Sequence, residues 1–312
     1  MGTDIRIGTC GYAYPGPPPK GWFGAFYPEG MPSRWDPLEY YARIFTTVEI
    51  NSSFYGPPSE RTAAAWASKT PRDFLFTLKL WQKFTHPSRI GHGSSAGSWE
   101  PVGPADVDKM RAALDPLQDA GKLGALVLQY PPSFDRAPQN LERLESTLSL
   151  FPYCPKAIEL RHKSWSDELE KTREIVERHR AAWIVIDEPK FAASIRQPFE
   201  PVGSLFYFRA HGRNARTWWR HSESWERYDY CYSRAEIRQL AAKIANASSR
   251  PGLRASFVFF NNHARASAAA NAVMMAQELG VPLRAMPPEA MLAQFPELIP
   301  GGSGVDLAGR RR

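Results

Sequence analysis

The stretch LGALVLQ at residues 123–129, followed by a helical pattern over Gln139–Leu150 and then by AIELR at residues 157–161, decides the fold. The first run is apolar for six positions, ends on the amide of Gln129, and is stopped by Pro131-Pro132. A short apolar run bounded by turn formers is the mark of a strand buried on both faces, as in parallel sheets. The second run repeats the pattern and closes on Glu159 and Arg161. Strand, helix and strand of this kind make one βα repeat.

Working outward, the same unit recurs along the chain. Strands are predicted at Ile5–Thr9, Thr47–Asn51, Phe74–Lys79, Leu123–Gln129, Ala157–Arg161, Ala182–Asp187, Leu205–His211 and Ser256–Asn261. Helices are predicted at Leu38–Phe45, Glu60–Ser68, Asp106–Ala120, Gln139–Leu150, Asp167–His179, Arg234–Ala247 and Ala264–Leu279. After Asp187 the prolines at 189, 198 and 201 leave no room for a long helix. Ser166 precedes Asp167-Glu168 and reads as a helix cap. Eight strands in a βα repeat predict an α/β fold, a single (β/α)8 TIM barrel over residues 1–300 with long βα loops on its C-terminal face. The tail, residues 301–312, reads as disordered. The alternative, an open doubly wound sheet, normally carries a glycine fingerprint that opens a helix. Here Gly8-Thr9-Cys10-Gly11 runs into Tyr12-Ala13-Tyr14-Pro15, so no dinucleotide cofactor is expected.

The chain has 312 residues, enough for one barrel of roughly 250 residues with long loops. A formal charge of +7 permits phosphorylated or nucleic-acid partners without requiring them. Three widely spaced cysteines suggest neither a disulfide framework nor a thiolate zinc site. With no signal-like start and no long apolar run, a soluble cytoplasmic protein without membrane contact is expected.

Side chains alternate across a strand, and nearly every predicted strand begins apolar and finishes polar. The strand ends supply Glu49 and Asn51, Lys79, Gln129, Glu159 and Arg161, Asp187, Arg209 and His211, and Asn261. Buried ionised groups cost several kcal/mol unless paired or bound to a ligand, so their gathering at one end needs a reason. One reason is structural: Glu49, Glu159 and Asp187 neutralise Lys79, Arg161 and Arg209 and plug the mouth. The other is an active site, since barrel enzymes place theirs at this end. On that reading Arg161 and Arg209 clamp an anion, with Asn51, Gln129 and Asn261 around it. His211, Glu159, Asp187, Glu49 and Lys79 are the catalytic candidates, and Lys79 forms a Schiff base if it is desolvated among cations. Cys10 reads as a small buried residue sooner than a nucleophile. The loop Gly212–Ser233 carries Trp218, Trp219 and Trp225 among arginines. These rings pack the loop, or form a stacking wall with Trp218 and Tyr12 as substrate contacts. His86, His162 and His263 read as supporting residues.

Several motifs in fixed order add to this. Ile7-Gly8-Thr9-Cys10-Gly11-Tyr12 and Phe26-Tyr27-Pro28 are followed by Tyr40-Tyr41-Ala42 and Val48-Glu49-Ile50-Asn51-Ser52-Ser53-Phe54-Tyr55. Then come Thr85-His86, Gln129-Tyr130-Pro131-Pro132-Ser133-Phe134, Glu159-Leu160-Arg161-His162-Lys163-Ser164-Trp165, Arg209-Ala210-His211-Gly212 and Phe260-Asn261-Asn262. Together they resemble the YecE-like family, domain of unknown function 72, from about residue 5 to about residue 280. The resemblance implies a TIM barrel with a polar cleft at the strand ends and brings no established reaction. Cys10 stands where the family usually has a small residue such as Ser, and Tyr12 where Trp is commoner. The loops Ser88–Pro104 and Gly212–Ser233 are longer than the family pattern leads one to expect.

Members of that family have been compared with barrels of the endonuclease IV type, a structural analogy that raises the question of metal. Glu159, Asp187 and His211 suit one divalent cation, with Glu49 as a fourth ligand, but Lys79, Arg161 and Arg209 oppose a metal cluster. A metal-free site uses those cations to hold the substrate. Two functions follow as expectations. One is an enzyme acting on a phosphorylated or otherwise anionic molecule, a hydrolase or lyase, with phosphodiester hydrolysis as one reaction. The other is a non-catalytic protein that binds a small anionic ligand or a nucleic-acid fragment in the same cleft.

Overall fold

Runs rich in β-branched and aromatic residues form the strands, as their fit to a pleated, buried surface requires. A computed structural model of the chain describes residues 3–30, 35–88 and 98–299. The strands are β1 (Asp4–Thr9), β2 (Thr47–Ile50), β3 (Leu75–Lys79), β4 (Leu123–Gln129), β5 (Lys156–Glu159), β6 (Ala181–Trp183), β7 (Val185–Asp187), β8 (Leu205–Ala210) and β9 (Ala255–Phe260). They build two parallel sheets, ordered β1-β9-β8-β7 and β2-β3-β4-β5-β6. The architecture is therefore α/β with sheets of four and five strands, where one continuous sheet was expected.

The two ladders meet at both ends. The predicted strand Ala182–Asp187 is split at Ile184: β6 pairs with β5 and β7 pairs with β8, so one extended segment passes between sheets. At the other junction Cys10 bridges Glu49, and the Gly11 N–H donates to the Glu49 carbonyl at 2.7 Å. Gly8 allows that approach. A Cβ at Gly8 would stand 2.3 Å from the Thr47 carbonyl oxygen.

The helices are α1 (Pro37–Tyr41), α2 (Glu60–Lys69), α3 (Gln82–Thr85), α4 (Pro104–Asp119), α5 (Pro138–Ser149), α6 (Ser164–Asp167), α7 (Leu169–Arg178), α8 (Arg234–Ser248), α9 (Ser267–Leu279) and α10 (Glu289–Gln294). Three expectations are corrected. The helix placed at Leu38–Phe45 ends at Tyr41. Ser166 lies inside α6, where its hydroxyl donates to the Lys163 carbonyl, and is not a cap; α6 and α7 are separated by the non-helical Glu168. The segment from Ala264 begins as a single 3-10 turn, because Arg265 and Ala266 adopt φ of 56° and 62°. The short α3 and α10 carry too few periodic positions to be read from sequence. The tail 301–312, expected to be disordered, lies outside the described residues.

Between the sheets the packing is aromatic. Phe257 and Phe259 of β9 stack in parallel with ring centres 6.1 Å apart, and Tyr207 of β8 packs on both. Gly124 of β4 admits the Phe257 ring, whose edge would lie 2.8 Å from a Cβ there. The Tyr207 hydroxyl lies 2.9 Å from Thr77 Oγ1 of β3 and donates to Glu49 Oε2 of β2 at 2.7 Å, joining the sheets through the core. Among the described residues no helix is long and apolar enough to cross a membrane.

Candidate active site

The strands finish in polar groups, and Arg209, the fifth residue of β8, gathers most of them. Its Nη2 donates to Glu49 Oε1 at 2.6 Å, and its Nη1 donates to Gln129 Oε1 at 2.9 Å and to Glu159 Oε2. Glu159 Oε1 in turn accepts from Arg161 Nε at 2.6 Å. Arg161 Nη1 stands 3.6 Å from Glu188 Oε2. The charged members are buried, and removing one partner of such a pair strands its counter-charge at a cost of about 3–5 kcal/mol. Burial pushes the Glu159 carboxyl up, but Arg161 and Arg209 outweigh it and hold the group well below the usual carboxylate range. Burial also raises Glu188, aided by the Glu159 charge and only partly opposed by Arg161, Lys190 and Arg209.

His211 is fully buried within this network. Asn261 Nδ2 stands 3.0 Å from its Nδ1, while Arg161 Nη2 stands 3.2 Å and Glu159 Oε2 3.4 Å from its Nε2. Nε2–H faces the Glu159 carboxylate while Nδ1 accepts from Asn261, so one proton satisfies the ring. Burial, then the two arginines acting against Glu159, bring its pKa down to about 3, so the imidazole is neutral.

Above this floor opens a cavity of about 340 Å3. Its wall carries three basic side chains, Lys79, Arg209 and Arg227, and three amides, Asn51, Gln129 and Asn261. Aromatic faces come from Tyr14, Phe54, Tyr55 and Tyr228, with His221, His263 and Ser224 completing the wall. No aspartate or glutamate is among these described lining residues. Two buried atoms here have no partner among the described residues, the Nε of Arg209 and the Oδ1 of Asn51. Lys79 Nζ sits 3.9 Å from the centre of the Phe54 ring. Burial and the charge of Arg209 lower its pKa to about 7, against the opposing pull of Glu159 and Glu49. A groove of about 390 Å3 on the outer surface is larger, but its charges are surface residues such as Glu170, Arg173 and Glu177. There Arg173 pairs at 3.0 Å with the neighbouring half-exposed Glu200. Of the two, the inner cavity is the one lined by buried polar atoms without a partner among the described residues, Arg209 Nε and Asn51 Oδ1.

Of the residues singled out from sequence, Glu49, Gln129, Glu159, Arg161, Arg209, His211 and Asn261 meet in one bonded network. Lys79, Asn51, Gln129, Arg209 and Asn261 reach the cavity wall. Three others do not. Asp187 accepts from Arg213 Nε and Nη2, both at 2.8 Å, and from the Tyr232 hydroxyl at 2.7 Å. Trp218 is buried in its own loop, its ring 6.3 Å from Tyr228. Tyr12 lies in a separate groove beside Asp36 and Trp66, and Tyr14 takes the place at the cavity, stacked between Trp22 and His263. Cys10 is fully buried 3.7 Å from Arg209 Nη2, and burial with the Glu49 charge raises its thiol far above the reactive range.

Sequence reasoning missed Glu188, and it placed Arg227 and Tyr228 only as members of the aromatic, arginine-bearing loop Gly212–Ser233, without singling them out. Alternation assigned the inward carboxylate to Asp187, but β7 ends there and the next residue turns back to Arg161. Arg227 and Tyr228 lie in a loop with no periodicity to orient them. The three expected metal ligands do not converge, and no three His, Cys, Asp or Glu groups among the described residues do so. Glu159 is occupied by two guanidiniums and Asp187 by a third, so these residues do not suit a cation.

Two parallel sheets with a cavity at their strand ends, basic and without a carboxylate among its described lining residues, define an α/β protein with a ligand-sized polar site. The chain belongs to the family described as Protein of unknown function DUF72, which matches residues 6–294. It is 26% identical over 266 residues to the UPF0759 protein YunF of Bacillus subtilis, covering 81% of this chain and 90% of that one. It is 29% identical over 126 residues to the UPF0759 protein YecE of Escherichia coli K12, spanning 40% of this chain and 41% of the relative. A DUF72 family protein from Thermotoga maritima has a similar crystal structure, with a TM-score of 0.73 and 32% identity over 89% of this chain and 99% of that one. One from Enterococcus faecalis, also at 0.73, is 24% identical over 89% and 96% and supports the fold alone.

Proposed function

We propose that the two sheets are arcs of one (β/α)8 barrel, and that the cavity at its strand ends is the active site of an enzyme acting on a small anionic substrate. The observation that carries this reading is the wall itself: Lys79, Arg209 and Arg227 line about 340 Å3 of space with no carboxylate among the described lining residues. Arg209 is matched from beneath by Glu49 and Glu159, so the unmatched charge is chiefly that of Arg227, which has no carboxylate partner among the described residues. In a partly enclosed site such a group attracts anions more strongly than it would in water. The ion pairs beneath support a division of labour. Arg161 and most of Arg209 are engaged by Glu49 and Glu159 and act as a rigid floor, not as the clamp expected from sequence. Arg227 and the unpartnered Arg209 Nε supply fixed donors to a phosphate or carboxylate. Lys79, with a pKa near neutrality, supplies a group that takes up or releases a proton beside the substrate. Phosphodiester hydrolysis is one reaction of this class, run without a cation held by Glu159, Asp187 and His211.

A second reading, capture of a nucleic-acid end without chemistry, draws on Tyr55, which is 75% exposed at the cavity rim and offers a face for stacking. A thermal-shift screen of phosphorylated metabolites, nucleotides and short oligonucleotides tests both. The enzyme reading expects small anions to raise the midpoint in the parent and not in Arg227→Ala, with turnover of at least one stabilising compound. Stabilisation by oligonucleotides alone, steeply weakened by salt, favours the second reading. If no anion shifts the midpoint, the cavity reading fails.

A further inference from the structure

Among the described residues Lys122 and Lys156 are buried and Lys79 is partly buried, and the first two are anchored. Lys122 donates to the Thr70 carbonyl at 2.7 Å and to Thr70 Oγ1 at 3.0 Å. Lys156 donates to the carbonyls of Leu148 at 2.8 Å and Phe151 at 3.3 Å. Such capping is what a structural lysine needs, because a buried ammonium without acceptors is costly. Lys79 is built differently. It ends β3 and opens into the cavity over the face of Phe54, and no hydrogen-bonded partner holds it among the described residues. We propose that Lys79 is a nucleophile that forms an imine with the carbonyl group of an anionic aldehyde or ketone. This rests on the reading of the cavity as an anion site.

The surroundings favour the free amine. Arg209 and Arg161 oppose its protonation, while Glu159 and Glu49 favour it but are themselves held by those arginines. His86, a nearby titratable group, is kept neutral chiefly by burial, with its pKa brought down to about 3. Desolvation next to cationic neighbours is a standard route to an amine that is nucleophilic at neutral pH.

The step balances without any further reactant. The amine lone pair attacks the carbonyl carbon, the C–N bond forms, and the carbonyl oxygen gains the proton that nitrogen loses. The resulting carbinolamine hydroxyl then leaves as water with the second nitrogen proton, giving the C=N bond. Arg227 and Arg209 Nε can hold the phosphate or carboxylate of the same molecule, and the donor-free Asn51 Oδ1 can accept from its hydroxyl. Once protonated, the imine draws electrons from the adjacent carbon, which suits cleavage of a neighbouring C–H or C–C bond. A cavity of about 340 Å3 limits the substrate to a small phosphorylated or carboxylated carbonyl compound.

The test is reductive trapping of the full chain with glycolaldehyde phosphate and cyanoborohydride at pH 7, with adducts located by peptide mass spectrometry. Lys79 is expected to be labelled at least about tenfold faster than the exposed Lys171, because far more of its amine is unprotonated. Lys79→Arg should lose the fast adduct while keeping slow surface labelling. Unphosphorylated glycolaldehyde should label Lys79 more slowly than its phosphate does. If Lys79 reacts no faster than Lys171 while glycolaldehyde phosphate still raises the melting midpoint, the imine is overturned and the anion site stands. Equal labelling of Lys79 by both aldehydes supports the imine and overturns the anion site.

Discussion

Arg209 of β8 and Glu49 of β2 belong to different sheets, yet Nη2 and Oε1 stand 2.6 Å apart with side chains 1% and 0% exposed. Together with Glu159 this pair ties the two ladders through the buried interior. An ion pair in that position serves rigidity and register more than net stability, since its desolvation largely offsets its attraction. It follows that Arg209→Ala, which leaves Glu49 and Glu159 facing each other without their shared cation, destabilises the fold by about 3–5 kcal/mol. Arg227→Ala, at a part-buried loop position, should cost about 1 kcal/mol or less while removing anion binding. Urea denaturation separates the two; similar losses in both variants would contradict the division between floor and wall.

Acid sensitivity should begin above the carboxylate range. Burial lowers His211 to about 3, so between the ordinary histidine value near 6.5 and pH 3 the unfolded chain binds a proton that the folded chain refuses. Stability is therefore complete above about pH 6.5 and falls with pH by up to about 1.4 kcal/mol per unit for this one group. Glu159, held below its ordinary value, adds to the loss only as pH falls below the usual carboxylate range. His211→Asn should flatten the slope between pH 6.5 and 5 in denaturant titrations, whatever it does to absolute stability. An unchanged slope would show that the imidazole is charged in the folded state.

How far the sequence could be read follows from where periodicity exists. The strands were legible because each is an apolar run ending in polar residues, and the strand ends named Glu49, Gln129, Glu159, Arg161 and Arg209 by alternation alone. Alternation failed at Asp187, where the segment passes from one sheet to the other at Ile184 and the phase of the face is lost. It had no purchase on Arg227, Tyr228 or Tyr14, which reach the cavity from loops. The charge count anticipated paired charges at the strand ends, but not that Asp187 pairs with Arg213 and Lys79 lies over Phe54, both outside the network.

Asp187 and Trp218 therefore mark the loop after β8, not the chemistry. Asp187→Asn removes the charge that Arg213 and the Tyr232 hydroxyl address and should cost about 1–3 kcal/mol, with cavity binding of anions kept. Trp218→Ala should cost about 3–5 kcal/mol as a buried ring is lost, whereas Trp219, 54% exposed, should be nearly neutral. Isothermal titration with a stabilising anion provides the check. Loss of binding in Asp187→Asn with its fold intact would return that residue to the site.

The sharpest consequence concerns the proton on Lys79. Its folded pKa of about 7 lies far below the ordinary lysine value, so between those two values the unfolded chain holds a proton that the folded chain lacks. Without ligand, the penalty is fully present below about pH 7 and fades as pH rises toward the ordinary lysine range. Lys79→Met should for that reason stabilise the ligand-free protein at pH 7, by on the order of 1–3 kcal/mol after allowing for the open cavity. Binding an anion reverses the balance, because a negative charge beside the amine draws the proton back. Sulfate, which does not titrate in this range, should bind most tightly below pH 7, and its affinity should fall by up to about tenfold per pH unit above it. Calorimetry at pH 7.5 in two buffers of different ionisation enthalpy should register uptake of a fraction of a proton on binding, and Lys79→Met should abolish both the uptake and the pH dependence. Sulfate affinity that stays flat from pH 6 to 9 in the parent protein would mean that Lys79 either keeps its proton throughout or does not face the ligand.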